Sequence, residues 1–278
     1  MRKSILTCLF TFVGALAFSQ CFNTSYGSGV TCIGGAGNGG SFTNQTSNSV
    51  NYSPAAGHAI VATAYQCWDS NCATTGSTTL SISDNVRKPE TCFSASPHSP
   101  FTLVETSLGA QHLQQYMWMC PSIPSGVKSF TATCSVPKSC NYITLTVTEW
   151  TGLATSNPFD TDGGAASTVR QTTATVSTQS ATGFTNDLRY TFFDTSADDF
   201  SCAVSPYVTA LQFFSGNINT ARQAGSAGSK ETAQVTWSSA CPGGNNKNDD
   251  WYGTIATIKT AASKPLVAPP TGLNVVVN

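Results

Sequence analysis

Charged residues are scarce in this chain of 278 residues, in which 14 Asp and Glu stand against 13 Lys and Arg. The net charge of −1 leaves no basic face to neutralise phosphate groups, so the sequence argues against nucleic acid as a partner. Histidine is rarer still, with only His58, His98 and His112, and no C-x-x-C pair occurs. Because structural zinc needs such ligands at close spacing, the pattern also disfavours a zinc site.

Long apolar runs are absent beyond the N-terminus. Residues 1–17 combine a basic start at Arg2 and Lys3, an apolar stretch, and small residues at Ala15 and Ala17. This order is typical of a secretory signal peptide, and no later run is long enough to span a bilayer. The sequence therefore predicts a secreted protein, extracellular or at the cell surface, without a membrane span.

Cysteine usage agrees with export. Cys8 lies in the predicted signal peptide, which leaves an even number of ten in the rest of the chain. An even count behind a signal peptide predicts disulfides formed in an oxidising compartment. Sequence proximity suggests these pairings: Cys21–Cys32, Cys67–Cys72, Cys92–Cys120, Cys134–Cys140 and Cys202–Cys241.

No stretch sustains the 3.6-residue repeat of a helix, but residues 142–152 alternate as a strand does. The apolar parity carries Ile143, Leu145 and Val147, and Thr residues occupy the other parity. We predict a central, half-buried strand at this position. Glu149 falls on the apolar parity, so its carboxylate points at the core and needs a partner, unless a bulge intervenes.

Other strand patterns are short and separated by turn residues. They cover residues 58–68, 78–83, 101–106, 113–120, 127–134, 168–178, 188–193, 208–214, 230–237 and 251–259. This spacing predicts an all-β fold, an antiparallel, jelly-roll-like sandwich stapled by disulfides. We assign residues 18–52, rich in Gly, Ser and Asn, to a flexible N-terminal arm, residues 53–260 to the sandwich, and residues 261–278 to a Pro-rich tail. Within the sandwich, residues 157–164 are predicted to form a loop.

Several of these segments resemble the secreted β-sandwich modules of environmental bacteria, acidobacteria especially. The segments are L-S-I-S-D-N at 80–85, S-G-V-K-S-F-T-A-T at 125–133, I-T-L-T-V-T-E-W-T-G-L at 143–153 and W-Y-G-T-I-A-T-I-K at 251–259. Those modules often accompany immunoglobulin-like or fibronectin type III repeats, and P-P-T-G-L-N-V at 269–275 resembles the opening strand of the latter. Here Trp150 stands where Tyr is usual, and Cys is more abundant. The resemblance implies an extracellular module without assigned activity, adhesive or glycan-associated.

Glu149 is the one candidate for catalysis. As a general acid of a carbohydrate-active hydrolase it would need a second carboxylate across a cleft, either Glu105 or an Asp. The alternative is a buried structural carboxylate bonded to Arg87, Arg170, Arg189 or backbone amides. We favour the structural role, because no acidic residue accompanies Glu149 along its strand and no G-x-S-x-G motif occurs.

Metal and ligand candidates are weaker. Asp160 and Asp162 precede two glycines and could bind calcium, but the EF-hand pattern fails and such residues are ordinary in turns. Trp150, Trp251 and Tyr252 are our candidates for a sugar-stacking surface, with core packing as the alternative. We therefore expect no cofactor, and a non-catalytic module that binds glycans or surface proteins.

Overall fold

The computed structural model describes residues 21, 23–40, 44–87, 92–106, 111–169, 171–195, 203–204, 208–213, 217–223, 227–237 and 250–265. These residues form β-strands, turns and irregular segments, without a helix. Accordingly, the described ranges hold no helix of the length and hydrophobicity needed to cross a membrane. The predicted signal peptide and the fibronectin-like segment at 269–275 lie outside these ranges.

The described residues form twenty strands. In chain order they are β1 (Thr24–Gly27), β2 (Val30–Asn38), β3 (Ser47–Asn51), β4 (Ala59–Cys67), β5 (Leu80–Asp84), β6 (Ser94–Ala95), β7 (Phe101–Glu105), β8 (Gln111–Cys120), β9 (Ser129–Cys134), β10 (Asn141–Thr151), β11 (Phe159–Ala166), β12 (Thr173–Ser177), β13 (Phe184–Thr185), β14 (Leu188–Thr195), β15 (Ala203–Val204), β16 (Val208–Phe213), β17 (Asn217–Gln223), β18 (Thr232–Trp237), β19 (Trp251–Ile258) and β20 (Lys264–Pro265).

The strands form four antiparallel sheets that stack as layers, and a small β13–β20 pair. The first layer is β3-β9-β5, and the second is β1-β2-β10-β4-β8-β6, with β7 also paired to β8. The third layer is β11-β19-β14-β17-β16, and the fourth is β12-β18-β15. The predicted all-β sandwich is thus confirmed, with two more layers than a simple sandwich has.

Separate apolar cores hold the layers together. Phe130 of β9 packs with Val147 of β10 between the first and second layers. Tyr190 of β14 packs with Trp150 of β10 between the second and third, and Ile255 of β19 packs with Val235 of β18 between the third and fourth. A further cluster around Tyr65 lies beside the Trp150 cluster in the same interface.

Strand β10 lies at the centre of the second layer, between β2 and β4, as the alternation predicts. Its apolar parity faces the first layer. The prediction that it is half-buried is wrong, because Thr144, Thr146 and Thr148 are buried against the third layer. Hydroxyl bonds make this possible: Thr146 Oγ1 lies 2.5 Å from Thr63 Oγ1, and Thr148 Oγ1 lies 3.1 Å from Tyr190 Oη.

Two segment assignments need correction. The sandwich begins before residue 53, because β1, β2 and β3 fall within the predicted arm, and β2 and β3 pair with β10 and β9. The predicted loop at 157–164 is mostly strand, since β11 starts at Phe159 and pairs with β19. Strands β2 and β11 are rich in glycine, so their sequences show no clear strand pattern. At Gly35 and Gly163 the neighbouring backbone lies so close that a Cβ would collide with it.

Four predicted disulfides are confirmed: Cys21–Cys32, Cys67–Cys72, Cys92–Cys120 and Cys134–Cys140. The fifth predicted pair, Cys202–Cys241, lies outside the described residues. Disulfides of this number are typical of proteins that fold in an oxidising compartment, which agrees with a location outside the cytoplasm.

At the C-terminal boundary of the sandwich, β20 pairs with β13 beyond the predicted limit at residue 260.

Candidate functional site

The Glu149 carboxylate accepts three hydrogen bonds near the C-terminal end of β10. Tyr52 Oη donates at 2.6 Å to one oxygen, and Ala55 N and His58 Nδ1 donate to the other at 2.9 and 2.6 Å. Glu149 is 3% exposed, whereas the His58 side chain is 30% exposed. Burial, followed by the hydrogen bond and charge of Glu149, raises the pKa of the Tyr52 hydroxyl. The Tyr52 hydroxyl therefore stays protonated at physiological pH and donates its hydrogen bond to Glu149.

Glu105, the residue named as a candidate for the second carboxylate of a glycosidase, is not beside Glu149. The backbone of Glu105 pairs with Gln111 at the start of β8, whereas Glu149 lies level with Cys120 at its end, through Ile60. Nine strand residues separate the two levels by about 30 Å, far beyond the separation of catalytic carboxylates in either glycosidase class. The three hydrogen bonds of Glu149 link β10 to the loop that precedes β4.

The predicted partners of Glu149 are partly corrected. A backbone amide does bind it, but Arg87 pairs with Asp84 and Arg189 pairs with Glu231. Arg170 lies outside the described residues. Tyr52 and His58 give no sequence signal as partners, because more than ninety residues separate them from Glu149.

The two calcium candidates have other roles. Asp162 is completely buried, and its two oxygens accept from the backbone N and the Nδ1 of His98 at 2.9 and 2.5 Å. This pair fastens the loop before β7 to β11. Asp160 accepts from Gly183 N at 2.6 Å. Across the described ranges, no three His, Cys, Asp or Glu side chains are grouped so that they could hold a metal ion.

Asp160 also lies beside a buried carboxyl group, that of Asp187. Ser263 Oγ donates to Asp187 Oδ1 at 2.6 Å, and this bond ties the segment after β19 to β14. The pKa of Asp187 is raised to about 6, mainly by burial and also by the adjacent Asp160, against the lowering effects of Ser263 and Lys259. Asp187 therefore holds its proton more tightly in the folded protein than in the unfolded chain.

This pair predicts a pH-dependent stability. Because the pKa of Asp187 is raised from 3.8 to about 6 on folding, its contribution is full below pH 3.8 and is lost as pH rises through 6. We expect the free energy of unfolding to fall by about 2 to 3 kcal/mol across that window. Asp187→Asn should remove this fall in urea titrations at a series of pH values, whereas Asp69→Asn should leave it. A wild-type stability that is flat or rising over that window would contradict the assignment.

The three predicted sugar-stacking residues are buried, so that prediction is wrong as to their position. Trp150 is 0% exposed, Trp251 3% and Tyr252 2%. The Trp150 ring centroid lies 5.1 Å from that of Tyr26, and its Nε1 donates to Thr148 Oγ1 at 2.8 Å. Another sheet covers each strand face that carries one of these side chains. The alternation of residues along a single strand could not reveal this cover.

Among the tryptophans whose burial the structure describes, Trp68 is half-buried, and it lies at the opposite end of the second layer from Glu149. It opens a loop that the Cys67–Cys72 disulfide closes. Asp69 fixes this loop from inside by accepting from the backbone N of Asn71 and Thr74 at 2.8 and 2.7 Å. The Thr74 hydroxyl also donates to Asp69, and this bond contributes most to lowering the pKa of its carboxyl group.

A second disulfide-closed loop, Cys134–Cys140, lies directly against the first. Ser135 N and Thr79 O bond at 2.8 Å, and the Asn141 amide donates to Trp68 O at 3.0 Å. We call residues 67–79 and 134–140, the two loops with the segment that follows the first, the double-loop end. Its exposed side chains are small and polar or apolar, apart from one cation: Ser70, Asn71, Ala73, Thr74, Thr75, Ser77, Thr79, Ser135, Val136, Pro137 and Lys138.

Comparison with known proteins adds no assignment. No protein-family model, curated protein or solved structure matches this chain.

Proposed function

We propose that this chain is a secreted, non-catalytic module for adhesion or glycan binding, and that the double-loop end is its contact surface. The observation that carries the proposal is the rigidity of that end. Two disulfides and the bonds to Asp69 fix the backbone, while the polar side chains remain exposed beside Trp68. A surface fixed before binding loses little conformational entropy when it meets a ligand.

The chemistry of the exposed groups suits a carbohydrate. Hydroxyl and amide groups donate and accept hydrogen bonds as sugar hydroxyls do, and a half-buried indole offers apolar area for a ring face. The negative charge of Asp69 is already used by donors of its own loop. The resemblance to secreted bacterial β-sandwich modules is consistent with this proposal.

The alternative, a carbohydrate-active hydrolase using Glu149, receives less support. A general acid must reach the glycosidic oxygen, but Glu149 is buried and both of its oxygens already accept hydrogen bonds from Tyr52, Ala55 and His58. Its candidate partner Glu105 lies at the other end of the second layer.

Affinity electrophoresis through gels containing a panel of soluble polysaccharides tests the proposal. We expect at least one polysaccharide to retard the wild-type protein, and the triple variant Ser70→Ala, Ser77→Ala, Lys138→Ala to lose most of that retardation. Each substitution removes an exposed polar group from the double-loop end without touching the core.

A triple variant of the same composition at the opposite end is the control: Ser122→Ala, Ser125→Ala, Lys128→Ala, all at exposed positions. It should migrate as the wild type does. Equal loss in both variants, or no retardation by any polysaccharide in the panel, would count against a glycan-binding double-loop end.

A further inference from the structure

One face of strand β8 packs against the third layer. An amide side chain interrupts the apolar side chains of this face. Leu113 belongs to the cluster around Tyr65, and Met117 belongs to the cluster around Trp150. Gln115 lies between them on the same parity and is 0% exposed. It therefore separates the two apolar clusters of the interface between the second and third layers.

Strand β19, in the third layer, has the same pattern. Tyr252 belongs to the first of these clusters and Ala256 to the second, with Thr254 between them, also 0% exposed. Strands β8 and β19 contact each other across the interface. Thr254 pairs with Gly164, whose backbone approaches the ring of Phe101 so closely that a Cβ would lie 2.8 Å from it.

Phe101 is the strand partner of Gln115, which places Thr254 and Gln115 at the same level of the interface. Thr63 and Thr146, whose hydroxyls bond to each other, lie two residues further along the sheet, because Thr63 pairs with Met117 and Tyr65 pairs with Gln115. The level thus holds two buried polar side chains, Gln115 and Thr254, between the two apolar clusters.

The side-chain polar atoms of Gln115 and Thr254 lack protein partners. Both Nε2 and Oε1 of Gln115, and Oγ1 of Thr254, are buried without a hydrogen bond to any protein group. Burying an amide without hydrogen-bond partners is costly, because the group loses its bonds to water, so native structures rarely leave one in that state. The described geometry offers one donor atom, one acceptor atom and one hydroxyl, about the number of bonds that a typical internal water makes.

We propose that Gln115 and Thr254 hold an ordered internal water molecule between the second and third layers. The water accepts from Gln115 Nε2, donates to Gln115 Oε1 or Thr254 Oγ1, and hydrates the middle of an otherwise apolar interface. This site is independent of the double-loop end, and neither proposal depends on the other.

Water-selective NOE and ROE spectra of ¹⁵N-labelled protein test the site. We expect the side-chain amide of Gln115 to show a cross-peak to water with the sign of a long-lived contact. The amide of Asn48, which donates to Asn38 O and Ile143 O at 3.1 and 2.7 Å, is the internal control and should show none. Absence of the Gln115 cross-peak in the folded wild type would overturn the proposal.

Substitutions at Thr254 test whether its hydroxyl is the second partner of the water. Thr254→Val should lose the Gln115 cross-peak, and Thr254→Ser, which keeps the hydroxyl, should retain it. Gln115→Met combined with Thr254→Val removes every atom that needs the water, so its melting temperature should be no lower than that of the less stable single variant. A cross-peak that persists in Thr254→Val, or melting losses that simply add in the double variant, would show that the two residues do not share a water.

Discussion

Replacing Glu149 by Ala is expected to lower the free energy of unfolding by about 3 to 5 kcal/mol, as does removing one partner of a buried charged network. The substitution leaves Tyr52 Oη, Ala55 N and His58 Nδ1 without their acceptor. Because these donors belong to the loop before β4, the loop should loosen before the sheets do. Urea unfolding followed by tryptophan fluorescence measures the effect.

Tyr52→Phe is the matched control for this experiment. It removes a single hydroxyl and leaves the carboxylate with two donors, so we expect a loss of about 1 to 2 kcal/mol. In the double variant the Tyr52 substitution should cost almost nothing further, since its acceptor is already gone. Full additivity, or a loss below 1 kcal/mol for Glu149→Ala, would show that the carboxylate does not organise this loop.

The second large effect is expected from Trp150→Ala, with a loss of about 3 to 5 kcal/mol. The ring is fully buried between Tyr26 and Tyr190, with centroids 5.1 and 6.0 Å away, and its Nε1 donates to Thr148. The change removes the largest side chain of the core between the second and third layers and leaves a cavity. Thermal and urea unfolding both measure the loss.

Trp68→Ala provides the contrast, because Trp68 is half-buried at the double-loop end. It should cost less stability than Trp150→Ala and should weaken polysaccharide retardation in a folded protein. If Trp150→Ala instead retained wild-type stability while losing ligand retention, Trp150 would be a surface residue and the assigned core would be wrong.

Much of the fold is predictable from the chain because alternation in a strand is local. The strands at 58–68, 101–106 and 251–259 correspond closely to β4, β7 and β19. Adjacent cysteines likewise reveal their short-range pairings. The number of layers depends on contacts between distant segments, which the sequence pattern of one strand does not show. The Thr hydroxyls of β10 form hydrogen bonds to a neighbouring strand and to the next layer, so a strand face that looks solvent-exposed from its polar residues is buried. Gly-rich β2 and β11 gave no alternation to detect.

The candidate site was less predictable for the same reason. The parity of Glu149 correctly indicates that its carboxylate faces inward, but its partners Tyr52 and His58 come from a distant loop. Tryptophan identity says nothing about which ring is covered, and Trp150 and Trp251 are covered by other sheets. The half-buried Trp68 could have been suspected only from its place beside Cys67, where a disulfide-closed loop begins.

We infer that Glu149 maintains the structure of the proposed binding module and does not break glycosidic bonds. Reducing-sugar release from the polysaccharide panel tests this claim most directly, with wild-type protein and Glu149→Gln compared at equal folded concentration. We predict no release above a no-enzyme blank by either protein on any polysaccharide, including those that retard the wild type. Release by the wild type that disappears in folded Glu149→Gln would contradict the account.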